Sequence, residues 1–157
     1  MKFVRYGESN AEKPGLIDAG GHLRDLSDHI SDIDSCMLSN AKIDSLVRLA
    51  PDNLPVVKGA QRLGACIGSV GKFICIGVNY HEHAKETGNP VPEHPIVFMK
   101  ATSAINGPFD EVVLPRKSQH TAWEIELGVV IGDKAKSVDA ENASSCGAGF
   151  WLGHDLS

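Results

Sequence analysis

The sequence has no block rich in Lys and Arg. With a formal net charge of −5 and a pI of about 5.8, it lacks the electrostatic footprint of a nucleic-acid binder or of a protein held on anionic membrane. No run of about 18 apolar residues occurs, and the opening MKFVRYGESN carries no apolar h-region, so neither a membrane span nor a secretory signal is predicted. The four cysteines, Cys36, Cys66, Cys75 and Cys146, include no pair two or three residues apart. That excludes a zinc knuckle or a thioredoxin-type motif, and it predicts buried thiols in a reducing cytoplasm. Gly77-Val78-Asn79 is not a GxGxxG turn, and neither GxSxG nor a P-loop is present. There is no internal repeat and no low-complexity segment.

What remains is a chain of 157 residues, 42% apolar and 22% charged. That is enough for one modest domain, or a small domain plus part of a larger one, and a chain of this length buries roughly 70% of its unfolded surface. KFVRYG alternates and reads as a strand. PGLIDAGGHLRDLS reads as a hairpin around Ala19-Gly20-Gly21. The spacing of Ile43, Leu46, Val47 and Ala50 predicts a helix from Ser39 to Ala50, capped by Ser39 or Asn40 and ended by Pro51. KFICIGVNY is a continuous apolar run and predicts a buried strand. Asn79 then caps a short helix, YHEHAKET, that stops at Gly88. IVFMK predicts a strand, SAINGPFDEVVLP a turn and a strand, and WEIELGVVIGD the longest strand. DAENASSCGA predicts a short helix and GFWLGHDLS a last strand.

WEIELGVVIGD raises the chemical question. Residues i and i+2 of a strand share a face, so Glu124 and Glu126 point the same way, roughly 6.6 Å apart at Cα. One reading is an amphipathic strand with its polar side in water. After Glu126 the stretch turns small and apolar, with Gly128, Val130 and Ile131, which favours partial burial. Two carboxylates on a partly buried face repel each other and resist desolvation, and a hard divalent cation relieves both problems. Asp155, in the apolar GFWLGHDLS, is the candidate third ligand, or else a strand-end residue that starts a turn. In NYHEHAKETG, His83 and Glu86 are i, i+3 neighbours on one helix face. Such a carboxylate can orient an imidazole that takes a proton from water; a solvated polar helix face is the other reading. His81 and His83 lack a third nitrogen or sulfur ligand at zinc spacing.

ICIGVNYHEHAKE, PIVFMKATSAINGP, VVLPR, WEIELGVVIG and GFWLGHDLS occur here in the order seen in the fumarylacetoacetate hydrolase family, and the resemblance spans about Lys72 to Ser157. The first 70 residues resemble the small N-terminal domain of bacterial members. RYGESNAEKPGLID is especially similar to members that act as ureidoglycolate lyase or 2,4-diketo-3-deoxy-sugar-acid hydrolase. The resemblance implies an α+β, β-rich fold: a small N-terminal domain over 1–70, then the first part of a mixed β-roll over 71–157. It implies a cytoplasmic homodimer with one Mg²⁺ or Mn²⁺, for which Ca²⁺ could substitute, and a small keto-acid substrate. Glu124 and Glu126 match the family's strand ligands and Asp155 the third. His83 and Glu86 match a dyad on a lid helix that activates water, and Lys100 matches a lysine near the substrate. The implied reaction is hydrolysis of a C–C bond in a 2,4-diketo acid of the acylpyruvate type. Urea loss from ureidoglycolate and decarboxylation of a 2-keto diacid are alternatives on the same scaffold. Two departures stand out. His154 occupies a position where many relatives have Asn. The sequence ends two residues after Asp155, whereas the family runs on for about a hundred residues more, over half an average domain. A chain truncated after the third ligand, serving as an inactive binding or assembly module, is therefore a further expectation.

Overall fold

The computed structural model describes residues 1–157. The chain is α+β and rich in strand, with one three-stranded and two two-stranded antiparallel sheets. The expected first strand and hairpin form β1 (Lys2–Tyr6), β2 (Lys13–Ile17) and β3 (Leu23–Asp25). They lie side by side in chain order, Phe3 opposite Leu16 and Leu16 opposite Arg24. The β2–β3 turn is built on Asp18 and Gly21. Gly21 has φ +82°, a conformation glycine adopts without a Cβ penalty. The Asp18 carboxylate accepts the His22 backbone N–H at 2.9 Å and Arg24 Nε at 2.7 Å. Those bonds hold its pKa down at about 2.

As the middle strand, β2 carries the deepest residue of the sheet. Leu16 is fully buried and packs with Leu26 and Leu54. A second cluster joins Ile33, Met37, Leu38 and Leu46. Leu46 is the buried residue of α1 (Asn40–Val47), which ends short of the expected Ala50. Ser39 occupies the N-cap position but makes no side-chain capping bond. Asn40 anchors the helix start instead: its N–H donates to Asp133 Oδ2 at 3.3 Å and its Nδ2 to the Ser145 carbonyl at 2.6 Å. Around this core runs an ion network that no local pattern announces. Arg5 Nε donates to Asp32 at 2.7 Å, while Arg62 reaches Glu12 at 2.9 Å and Asp110 at 2.7 Å.

Contacts divide the chain into two compact units, Met1–Gly68 with Gly107–Ser157, and Ser69–Asn106. The sequence division grouped 107–157 with 71–106 instead. The later residues are tied to the first unit where Val130 and Ala148 pack on the Ile33–Leu46 cluster, where Asn40 bonds Asp133 and Ser145, and where Arg62 holds Asp110.

The Ser69–Asn106 unit contains β4 (Phe73–Gly77), α2 (His81–Glu86) and β5 (Ile96–Lys100). β4 and β5 pair antiparallel, with Ile74 opposite Met99 and Ile76 opposite Val97. These four side chains are exposed, which corrects the buried-strand reading of KFICIGVNY: one face of this two-stranded sheet is uncovered. The cap position of α2 is Tyr80 rather than Asn79, because the chain reverses at Val78, φ +51°. Gly88 ends the helical stretch as expected, with φ +68°. VVLP forms no strand. It runs from Val112 to Pro115, no segment pairs with it, and Val113 is almost fully exposed. The thiols also depart from expectation: Cys36 is exposed, and the other three are only half-buried.

β6 (Trp123–Ile131) and β7 (Gly147–Leu156) form the longest hairpin, with α3 (Ala140–Ala143) in its connection. Their register runs from Trp123 opposite Leu156 to Val129 opposite Phe150, with an irregularity at Val130/Ile131. One face carries Trp123, Ile125, Leu127, Val129, Ile131, Phe150 and Leu152, all exposed. Covering each such side chain is worth about 1.5–3 kcal/mol, so this face favours association. A Leu127→Lys, Leu152→Lys double variant is expected to stay folded, because neither side chain is buried, and to lose most of the wild type's binding of an apolar dye. Unfolding of the variant would show that this face is packed in solution.

Candidate functional site

The opposite face of the β6–β7 hairpin holds the carboxylates. Glu124 stands directly across from Asp155, and Glu126 across from Gly153. Directly opposed residues on one face sit about 4.5–5.5 Å apart, so register alone places three acidic residues side by side. Glu124, Glu126 and Asp155 are half-buried, while their neighbours Trp123, Ile125 and His154 are exposed. The alternation is therefore inverted relative to an ordinary amphipathic strand: the acids lie on the more covered side. Gly153, across from Glu126, is buried.

The donor set is three carboxylates and no sulfur, which suits a hard cation such as Mg²⁺ or Mn²⁺ and offers nothing to a soft one. The backbone brings the three residues to one place. The side chains as they stand do not gather into a three-ligand metal cluster, so the fit lies in register and chemistry. His154 points to the other face, as strand alternation requires, and its ring meets Trp123 edge-on at 5.7 Å and 75°. The unusual histidine is thus turned away from the carboxylates.

One residue on this face escaped the sequence reading. Trp151 shares the face with Gly153 and Asp155, and it stands directly across from Gly128. A Cβ placed on Gly128 would overlap the indole at Nε1 and Cε2. A Cβ on Gly153 would come within 2.9 Å and 3.0 Å of indole Cζ3 and Cη2, and 3.5 Å from the Glu126 Cβ. Two glycines thus form the berth in which the ring lies. Glycines opposite and two residues from a tryptophan were the available signal, legible only once the register is known.

His83, Glu86 and Lys100 belong to the Ser69–Asn106 unit. Ala84 is the buried residue of α2; His83 is half-buried and Glu86 exposed. His83 and Glu86 share a side of the helix, but no hydrogen bond or ion pair joins them in this structure. The turn after His83 is fixed by Thr87, whose N–H and Oγ1 both donate to the His83 carbonyl, at 3.1 Å and 2.8 Å. Lys100 ends β5, half-buried and opposite Phe73.

Comparison with known proteins identifies the family and the fold. The family profile described as fumarylacetoacetate (FAA) hydrolase C-terminal matches residues 72–157. A Burkholderia cenocepacia protein, provisionally named a hydrolase, is 51% identical across all 157 residues, which make up 56% of its own length. Among solved structures, fumarylacetoacetate hydrolase from the psychrophile Exiguobacterium antarcticum superposes with a TM-score of 0.73 at 26% identity, over 99% of this chain and 56% of that one. The 5-carboxymethyl-2-hydroxymuconate delta-isomerase of Mycobacterium smegmatis gives a TM-score of 0.66 at 25% identity, over 100% and 55%. The strand-rich α+β fold is that of these neighbours, and the chain belongs to the fumarylacetoacetate hydrolase family. It spans little more than half the length of the relatives it matches. No helix is long and apolar enough to cross a membrane.

Proposed function

We propose that this chain carries the cation-binding face of a hydrolase that cleaves a C–C bond in a small 2,4-diketo acid. The observation that carries the reading is the pairing of Glu124 with Asp155, with Glu126 on the same half-covered face. Glu124, Glu126 and Asp155 would hold Mg²⁺ or Mn²⁺, with Ca²⁺ able to take their place. Bound there, the cation supplies Lewis-acid stabilisation of negative charge developing on the keto acid. His83 enters from the family resemblance as the group that accepts a proton from water, with Glu86 orienting its ring and Lys100 near the substrate. The water oxygen joins the carbonyl carbon distal to the carboxylate, and the bond from that carbon to the next breaks. The electron pair and a proton pass to the leaving carbon. The products are a carboxylic acid and a 2-keto acid. The homodimer implied by the resemblance belongs to the same proposal.

The delta-isomerase neighbour favours a second reading. An isomerase would move a proton within an unsaturated hydroxy acid and consume no water. Incubation with an acylpyruvate and MnCl₂ in ¹⁸O water separates the two. Cleavage with one ¹⁸O in the new carboxylate is the expected result. No cleavage of the acylpyruvate, with a double-bond shift in an unsaturated hydroxy acid supplied in its place, would replace hydrolysis by isomerisation.

A further inference from the structure

We infer that Trp151 is the aromatic wall of the carboxylate site, bordering Glu126 and meeting the flat face of the oxygen ligand held there. The inference rests on the cation reading above and adds a positioning residue to it. Strand alternation sets Trp151 on the face of Glu124, Glu126 and Asp155, whereas Phe150, Leu152 and His154 look the other way. The ring lies flat across the hairpin because Gly128 and Gly153 have no Cβ; any other residue at Gly128 would displace it. Its six-membered ring comes beside Gly153, and the Glu126 stem approaches that same point from the opposite strand. A large apolar ring at this position excludes water on one side of the acids and strengthens their pull on a cation. Its π face also suits a flat, conjugated ligand, since offset stacking adds to simple burial.

The chain has two tryptophans, and they lie on opposite faces of the hairpin. That gives each a separate optical report. Trp123→Phe and Trp151→Phe are titrated with MnCl₂ by calorimetry and by fluorescence in parallel, with MgCl₂ as the non-quenching control. Mn²⁺ is expected to quench most of the emission of Trp123→Phe, with a midpoint equal to the calorimetric one. Emission of Trp151→Phe is expected to survive while its calorimetric binding persists. Oxalate, a flat chelating dicarboxylate, is then bound to the Mn²⁺ forms. Trp151→Ala is expected to weaken oxalate about tenfold, or about 1.4 kcal/mol, and Trp151→Phe to keep it within about twofold by retaining a ring. Calorimetric Mn²⁺ binding without quenching in Trp123→Phe overturns this inference alone. Unchanged oxalate affinity in a folded Trp151→Ala also overturns it. Absence of calorimetric binding in the wild type overturns the cation reading and the wall with it.

Discussion

Replacing His83 by alanine is expected to lower kcat/KM for cleavage of a 2,4-diketo acid by about 10²–10⁴-fold, the usual worth of a positioned general base. Mn²⁺ affinity is expected to stay within twofold, because the residue is not among the proposed ligands. A proton acceptor must be held firmly and must be able to take up a proton. α2 meets the first need through buried Ala84 and through Thr87, which closes the turn on the His83 carbonyl. Glu86, one turn further along the same side of the helix, is the proposed partner that would orient the ring. Glu86→Gln is accordingly expected to reduce the rate less than His83→Ala, and the double variant to be no slower than His83→Ala alone. Such non-additivity marks residues that act as a unit. Multiplicative losses, or an unchanged rate in His83→Ala, would remove the dyad from the reaction. Steady-state kinetics at saturating Mn²⁺ provides the measurement.

Arg62→Ala is expected to destabilise the fold at pH 7, since it strips a shared partner from Glu12 and Asp110. Arg62 donates to Glu12 at 2.9 Å, to Asp110 at 2.7 Å and to the Gly7 carbonyl at 3.2 Å. The Glu12 side chain is 8% exposed and would keep a backbone N–H and Arg5, the latter at 3.5 Å. Burial alone would push the Glu12 carboxyl up, yet the bond from Arg62 and the charges of Arg5 and Arg62 hold it below its ordinary value. Asp110 is held down chiefly by its bond to Arg62. Carboxylates with depressed pKa values stabilise the fold above their unfolded pKa, near 4, and that contribution disappears as pH falls through the folded value. The gap between wild type and Arg62→Ala is therefore expected to be largest at neutral pH and to shrink below about pH 4. Urea unfolding at several pH values reads it. A gap that does not change with pH would mean that Arg62 acts through packing rather than charge.

Legibility differed between parts of the chain. The period-2 alternation of WEIELGVVI and the apolar GFWL segment marked two strands, and two carboxylates in the first were already out of place there. Gly20-Gly21 announced the β2–β3 turn because a left-handed residue was needed. Continuous apolar runs misled in one respect. FICIG forms a strand as read, but an apolar run does not reveal whether a partner covers it, and here one face is open. VVLP had strand composition but found no pairing partner. The Arg5–Glu12–Arg62–Asp110 network and the Trp151 berth were illegible for a common reason. Each depends on residues brought together by long-range register: Arg62 meets Asp110 48 positions away, and Gly128 lies across from Trp151. Glu124 and Asp155 were legible as candidates, but their direct opposition was not.

The central claim is that the shared face of Glu124, Glu126 and Asp155 binds a divalent cation, and calorimetric titration of MnCl₂ into the 157-residue chain and its Glu126→Gln variant tests it most directly. The account predicts one site per chain in the wild type and an affinity at least about tenfold weaker in the variant, a difference of about 1.4 kcal/mol. A folded wild type that takes up no Mn²⁺, or a Glu126→Gln variant that binds as tightly as the wild type, would contradict it.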